Sequence, residues 1–163
     1  MAAKGGPELR YVEVRAEGSG LSGVAVRYGE VARAGPTGRE LFEPGAFAGR
    51  LADVRLNRQH ERSRLLVRTG AGLTLTDSPE ALRFAADLGE TRDERDTLEL
   101  VRRGVLRGAS VEFVALRERV EGGVRRISAA VLRAIGIVDD PAYAGSTVEA
   151  RAEGRRRWRY PLH

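Results

Sequence analysis

Ser110 and His60 are the two residues whose types could together carry covalent chemistry in this chain. A serine hydroxyl is a poor nucleophile at neutral pH unless a base accepts its proton in the transition state. Histidine suits that base, because its ordinary pKa of about 6.5 lets it take the proton and return it to a leaving amine. The chain has 2 histidines. His163 is the final residue, where ordering is not expected, so His60 is the usable one. It sits in Asn57-Arg58-Gln59-His60-Glu61, just after the apolar Val54-Arg55-Leu56. Ser110 lies in Gly104-Val105-Leu106-Arg107-Gly108-Ala109-Ser110-Val111-Glu112-Phe113, where the glycine and alanine before it leave the backbone approachable to a substrate carbonyl. Each residue also has an everyday reading. A histidine in a polar stretch is commonly a surface residue, and Gly-Ala-Ser is also a tight connection whose serine pairs with backbone.

Other chemistries find little support in the sequence. The chain has no cysteine, which excludes disulfide scaffolds, thiol catalysis and thiolate zinc sites. It contains no G-x-S-x-G elbow, no H-E-x-x-H, no P-loop and no Rossmann glycine pattern. Neither a cofactor nor a metal is expected. With 163 residues, 42% hydrophobic and 31% charged, the composition is that of one globular domain. No apolar run approaches the roughly 20 residues that span a bilayer, and the first residues lack a signal peptide's apolar stretch. The expectation is a soluble cytoplasmic protein with no membrane partner. Net charge is +5 and the sequence pI about 10.3, which raises nucleic acid as a partner. The arginines are interleaved with acids, however, as in Arg92-Asp93-Glu94-Arg95-Asp96, the pattern of a solvated surface. Aromatics make up only 6%, few for a base-stacking platform. Nucleic acid is therefore not the expected partner.

The elements that must position the pair are mostly short strands. Leu9 to Arg15, Gly20 to Tyr28, Leu65 to Val67, Leu73 to Thr76 and Leu82 to Ala86 are extended runs separated by turn residues. Val111 to Val120 and Val124 to Leu132 flank Glu121-Gly122-Gly123, which suits a hairpin. Thr91-Arg92-Asp93-Glu94 has the capping-box pattern, with Leu98, Val101 and Val105 on one helical face and Gly104 as the cap that ends it. A second, shorter helix is expected from Pro44, with Phe47 and Leu51 four apart. The fold class that follows is mainly β with a few helices: a closed or partly closed antiparallel β-barrel carrying surface helices. The domain is expected over residues 9–150, with a basic, flexible tail at 151–163.

The order of several segments adds a resemblance to the tailed-phage (caudoviral) prohead serine protease family. Glu40-Leu41-Phe42-Glu43-Pro44-Gly45-Ala46-Phe47 resembles that family's E-x-x-x-P-G-A-F element. Asn57-Arg58-Gln59-His60-Glu61 is similar to its N-H-[DE] segment, here with two residues between asparagine and histidine. Gly70-Ala71-Gly72-Leu73-Thr74-Leu75 resembles the G-L-x-[VL] strand. Gly104 to Phe113 is close to G-x-[LI]-x-G-x-S-[IV]-x-F, which holds the nucleophile. Leu132 to Tyr143 looks like the L-x-E-[VI]-S-[LIV]-V-x-x-P-A element. The resemblance runs from about Leu21 to Val148.

The resemblance implies an assemblin-like barrel, related to the herpesvirus proteases, with Ser110 as nucleophile and His60 as general base. It implies phage scaffold and major capsid protein as substrates, cleaved in the host cytoplasm inside the assembling prohead, whether or not the genes are carried by a prophage. A homodimer is left open. One departure matters: Ala134 stands where the family pattern carries glutamate, and Gly136 stands where it carries serine. Asp139 and Asp140, just past the same apolar strand, are then candidates to support His60, as is Glu112. The alternative reading is a catalytically degenerate homologue that acts in capsid assembly.

Overall fold

The computed structural model describes residues 8–32, 38–139, 149–152 and 156–158. Among the described residues, eleven strands and one α-helix follow in chain order. They are β1 (Glu8–Glu17), β2 (Gly20–Arg27), β3 (Glu40–Phe42), β4 (Arg55–Arg58), β5 (Leu65–Thr69), β6 (Gly72–Asp77), β7 (Ala81–Asp87), α1 (Arg92–Arg102), β8 (Gly108–Glu121), β9 (Val124–Val138), β10 (Glu149–Ala152) and β11 (Arg156–Trp158).

Backbone pairing runs β1–β2–β7–β6–β5–β4–β9–β8, and β8 returns to β1 through Glu8↔Phe113 to Glu13↔Gly108. The circuit therefore closes, but its β5–β6 link is only the pairs Arg68↔Gly72 and Thr69↔Leu73. This is a mainly β, partly closed barrel. β10 pairs with β1, and β11 with β10. Not every neighbour is antiparallel: β4 and β3 both run parallel to β9. Such pairing joins segments far apart in sequence, which turn residues alone do not reveal.

The hairpin of β8 and β9 is the longest ladder, and it closes at Glu121↔Val124. Gly122 and Gly123 both have positive φ, 60° and 75°, the tight turn whose twist matches the strands. Inside the barrel, Leu56, Val111, Phe113, Ile135 and Ile137 are fully buried. Phe42 packs on Phe47 at 5.0 Å and edge-on to Phe113 at 4.8 Å between ring centroids. These aromatic contacts stabilise the barrel beyond simple area burial. Arg125 of β9 meets the buried Glu40 of β3 at 3.1 Å.

Helix α1 begins as the sequence predicts. The Thr91 side chain accepts from the Glu94 N–H, while the Glu94 carboxylate accepts from the Thr91 N–H at 3.1 Å and the Gly89 N–H at 2.9 Å. Leu98 and Val101 are buried. Val105 is not, at 46% exposure, because the helix has already ended with Arg103 as its cap. The helix expected from Pro44 is absent. Residues 44–49 form successive turns, with Ala46 N–H to Glu43 O and Ala48 N–H to Gly45 O, both 3.0 Å. Gly45 and Gly49 at φ 82° and 73° prevent a continuous right-handed helix there.

Candidate active site

Three adjacent strands build one row of residues on the outer face of the barrel. Asn57 of β4 pairs with Gly136 of β9, and Gly136 pairs with Ser110 of β8. Residues opposite each other in a ladder share a face, about 4.5–5.5 Å apart at Cβ. Their immediate neighbours Leu56, Ile135 and Val111 point the other way, into the core, so Asn57, Gly136 and Ser110 all point outward. Two residues along, the same alternation gives a second outward row: Arg55, Ala134 and Glu112.

His60 reaches the first row by an unusual backbone path. Gln59 and His60 have φ of 54° and 57°, a left-handed conformation that costs roughly 1–2 kcal/mol per non-glycine residue. Strain of this kind persists where surrounding contacts over-determine it, and it clusters at functional sites. The contacts are present here. Gln59 N–H donates to Ile137 O at 2.9 Å, Glu61 N–H donates to Arg58 O at 3.0 Å, and Asp139 N–H donates to the Gln59 side-chain oxygen at 3.3 Å. Arg58, at the end of β4, also pairs with Asp93 in the first turn of α1 at 3.2 Å.

The result is that the chain folds back and lays the imidazole over Gly136. A Cβ built on Gly136 would stand 2.6 Å from Cε1 and 2.8 Å from each ring nitrogen of His60, closer than real Cβ contacts come. Only glycine leaves room for the ring. The imidazole thus occupies the centre of the row, with Asn57 on one flank and Ser110 on the other. Of the two residues between Asn57 and His60, Arg58 ends β4 and Gln59 begins the left-handed return that His60 completes.

Four polar atoms in this row are buried and lack a hydrogen-bond partner: Ser110 Oγ, both ring nitrogens of His60, and Asn57 Oδ1. Ser110 itself is fully buried, so a substrate carbonyl reaches Oγ only after the covering groups shift. Unsatisfied buried polar groups are costly and uncommon, and four in one row mark the place where a polar ligand or a rearrangement would complete the bonding. Glu112 supplies the nearest charge, its Oε2 lying 3.8 Å from His60 Nδ1. Burial pushes the His60 pKa below its ordinary value, and the Glu112 carboxylate opposes that shift in part. The ring is therefore neutral at pH 7, the form a general base requires.

Among the described residues, Glu112 is the acid within ion-pair distance of His60. Asp139 lies at the end of β9, exposed, and meets the His60 loop through its backbone N–H. Asp140 lies outside the described residues. Glu112 and Ala134 are cross-strand partners, so Glu112 faces the position where the sequence pattern has its glutamate. Period-two alternation puts Glu112 on the same face as Ser110. No local sequence signal marks Gly136 as the residue that makes space for an aromatic ring.

Gly136→Ala should push the imidazole out of the row. We expect kcat/KM to fall by about a hundredfold, the scale of a 1 Å misplacement. Peptide cleavage assays with a thermal-melt control check this, and unchanged activity in a folded variant would show that the ring does not need the space.

The family model described as caudovirus prohead serine protease matches residues 8–157 of the chain. No curated protein and no solved structure matches it. The match supports a serine protease role in the phage prohead, and it takes in Asn57, His60, Ser110 and Gly136. With most of the chain matched in this way, it belongs to the caudovirus prohead serine protease family.

Proposed function

We propose that the chain is an active serine endopeptidase that cleaves scaffold and major capsid protein segments inside the maturing prohead. Ser110 is the nucleophile and His60 its general base. The observation that carries this reading is the seating of the His60 ring on Gly136, directly beside Ser110 on the same outer face. His60 Nδ1 is the nitrogen toward Glu112, which leaves Nε2 to take the proton from Ser110 Oγ. In the acylation step Oγ attacks the peptide carbonyl, the imidazole carries the proton to the leaving amine, and the acyl-enzyme is then hydrolysed.

Glu112 is the positioning residue in this scheme. A carboxylate near Nδ1 favours the tautomer with hydrogen on that nitrogen and stabilises the imidazolium as it forms. Asp139 contributes through its backbone, by holding Gln59 and so the start of the histidine turn. The burial of Ser110 favours a second reading, a degenerate homologue that serves assembly without cleaving. The two differ in one readout. Co-expression with the phage's own scaffold and capsid proteins should give discrete fragments. Ser110→Ala should reduce their formation at least about a thousandfold while remaining folded. Intact substrates in the presence of the folded wild-type protein would instead support the assembly reading.

The pH profile reports on Glu112. Because the His60 pKa is lowered, kcat/KM should lose activity on the acid side at a pH below the ordinary histidine value. Glu112 acts to raise that pKa, so Glu112→Gln should move the acid limb to still lower pH. It should also lower the plateau by at least about tenfold, as the imidazolium loses its counter-charge. A limb that stays in place with an unchanged plateau would remove Glu112 from the mechanism.

A further inference from the structure

Beside the Ser110 row lies a small cleft of about 60 Å³, lined by Arg55, Asn57, Arg62, Leu65, Glu112 and Ala134. Its floor is the second outward row, where Ala134 ends at Cβ and leaves space between Arg55 and Glu112. Arg62 comes from the 3-10 turn at Arg62–Arg64, two residues after His60. The half-exposed Leu65 supplies an apolar wall.

The two arginines of this cleft differ from their neighbours. Arg58 is held by Asp93, Arg64 by Glu61 and Arg68 by Asp53. Among the described residues the side chains of Arg55 and Arg62 enter no hydrogen bond or ion pair, although, after Arg68, the Arg55 charge helps to lower the pKa of nearby Asp53. The Nε of Arg55 is buried without an acceptor, an arrangement that costs free energy until an acceptor arrives. The nearby acids are engaged elsewhere: Asp53 with Arg68, and Glu112 facing the His60 ring. The cleft therefore presents two guanidinium groups against one carboxylate that is already turned toward the imidazole. A guanidinium fork matches a planar carboxylate, and Leu65 would cover the methylenes of the side chain that bears it.

We infer that this cleft is the specificity pocket for an acidic substrate side chain, aspartate or glutamate, held by Arg55 and Arg62 close to the scissile bond. The inference rests on the reading of Ser110 as nucleophile, because it is the neighbouring row that makes the cleft a substrate subsite.

The test has two arms on the full chain. In the first, a peptide library is digested and its cut sites are located by mass spectrometry. Aspartate and glutamate should be enriched at least tenfold at one fixed position within a few residues of the cut. Arg62→Glu, at an exposed position, and Arg55→Glu should each shift that position toward lysine and arginine. Wild-type cutting with no acidic preference, or preference unchanged in both charge-reversal variants, would overturn the inference while leaving Ser110 as the nucleophile. In the second arm, binding of N-acetylglutamate amide is followed by NMR without reference to cleavage. Chemical-shift changes at Leu65 and Ala134 that disappear in Arg62→Glu would support the pocket even in a chain that cuts nothing. No binding to the wild type would overturn it. Should Arg55→Glu fail to fold, Arg55→Lys keeps the charge, loses the fork, and should bind more weakly.

Discussion

The site depends on the contact between an imidazole ring and a residue that has no side chain. Gly136 is the central position of a three-strand row, and any Cβ there would overlap His60. The ring fills that vacancy between Asn57 and Ser110, which fixes the geometry of the whole face. β9 must lie between β4 and β8 for the row to exist, so the parallel β4–β9 and antiparallel β8–β9 ladders are as necessary to the site as the two residues themselves. The core side chains Leu56, Ile135 and Val111 on the reverse of these strands keep the three in register. A slip of one residue would turn Ser110 inward.

The histidine turn is the second requirement, and it is held at a cost. Two consecutive left-handed residues are tolerated because Gln59 is tied twice, by its N–H to Ile137 of β9 and by its side-chain oxygen to the N–H of Asp139 just beyond that strand. The end of β4 is in turn fixed to α1 through Arg58 and Asp93. This is how a capping box on a surface helix bears on the site: it places the first turn of α1, and with it Asp93, where the strand that launches His60 needs an anion. The same burial that fixes the ring keeps it neutral, and Glu112 limits how far that shift goes.

Much of this was legible in the sequence, for physical reasons. Turn residues and extended runs gave most strands, Glu121-Gly122-Gly123 marked the hairpin, and Thr91 with Glu94 marked the helix start, since these are local signals. The Pro44 segment misled because Phe47 and Leu51 have helical spacing, while the left-handed glycines at 45 and 49 decide against it. Parallel pairing of β4 with β9 was not legible, as it joins segments some eighty residues apart. Nor was the left-handed return at Gln59 and His60, for which neither residue type carries a signal. The departures at 134 and 136 looked like losses in the sequence. In the fold, Gly136 makes room for the ring, Ala134 opens the floor of a cleft, and Glu112 faces Ala134, the position where the family pattern carries glutamate.

The central claim is that Ser110 is activated by His60. The most direct measurement is the rate at which a fluorophosphonate labels the protein, with mass spectrometry locating the adduct, compared between the wild type and His60→Gln. The account predicts a single adduct on Ser110, formed at least about a hundredfold more slowly without the imidazole. Labelling of another residue, or equal rates in the two proteins, would contradict it.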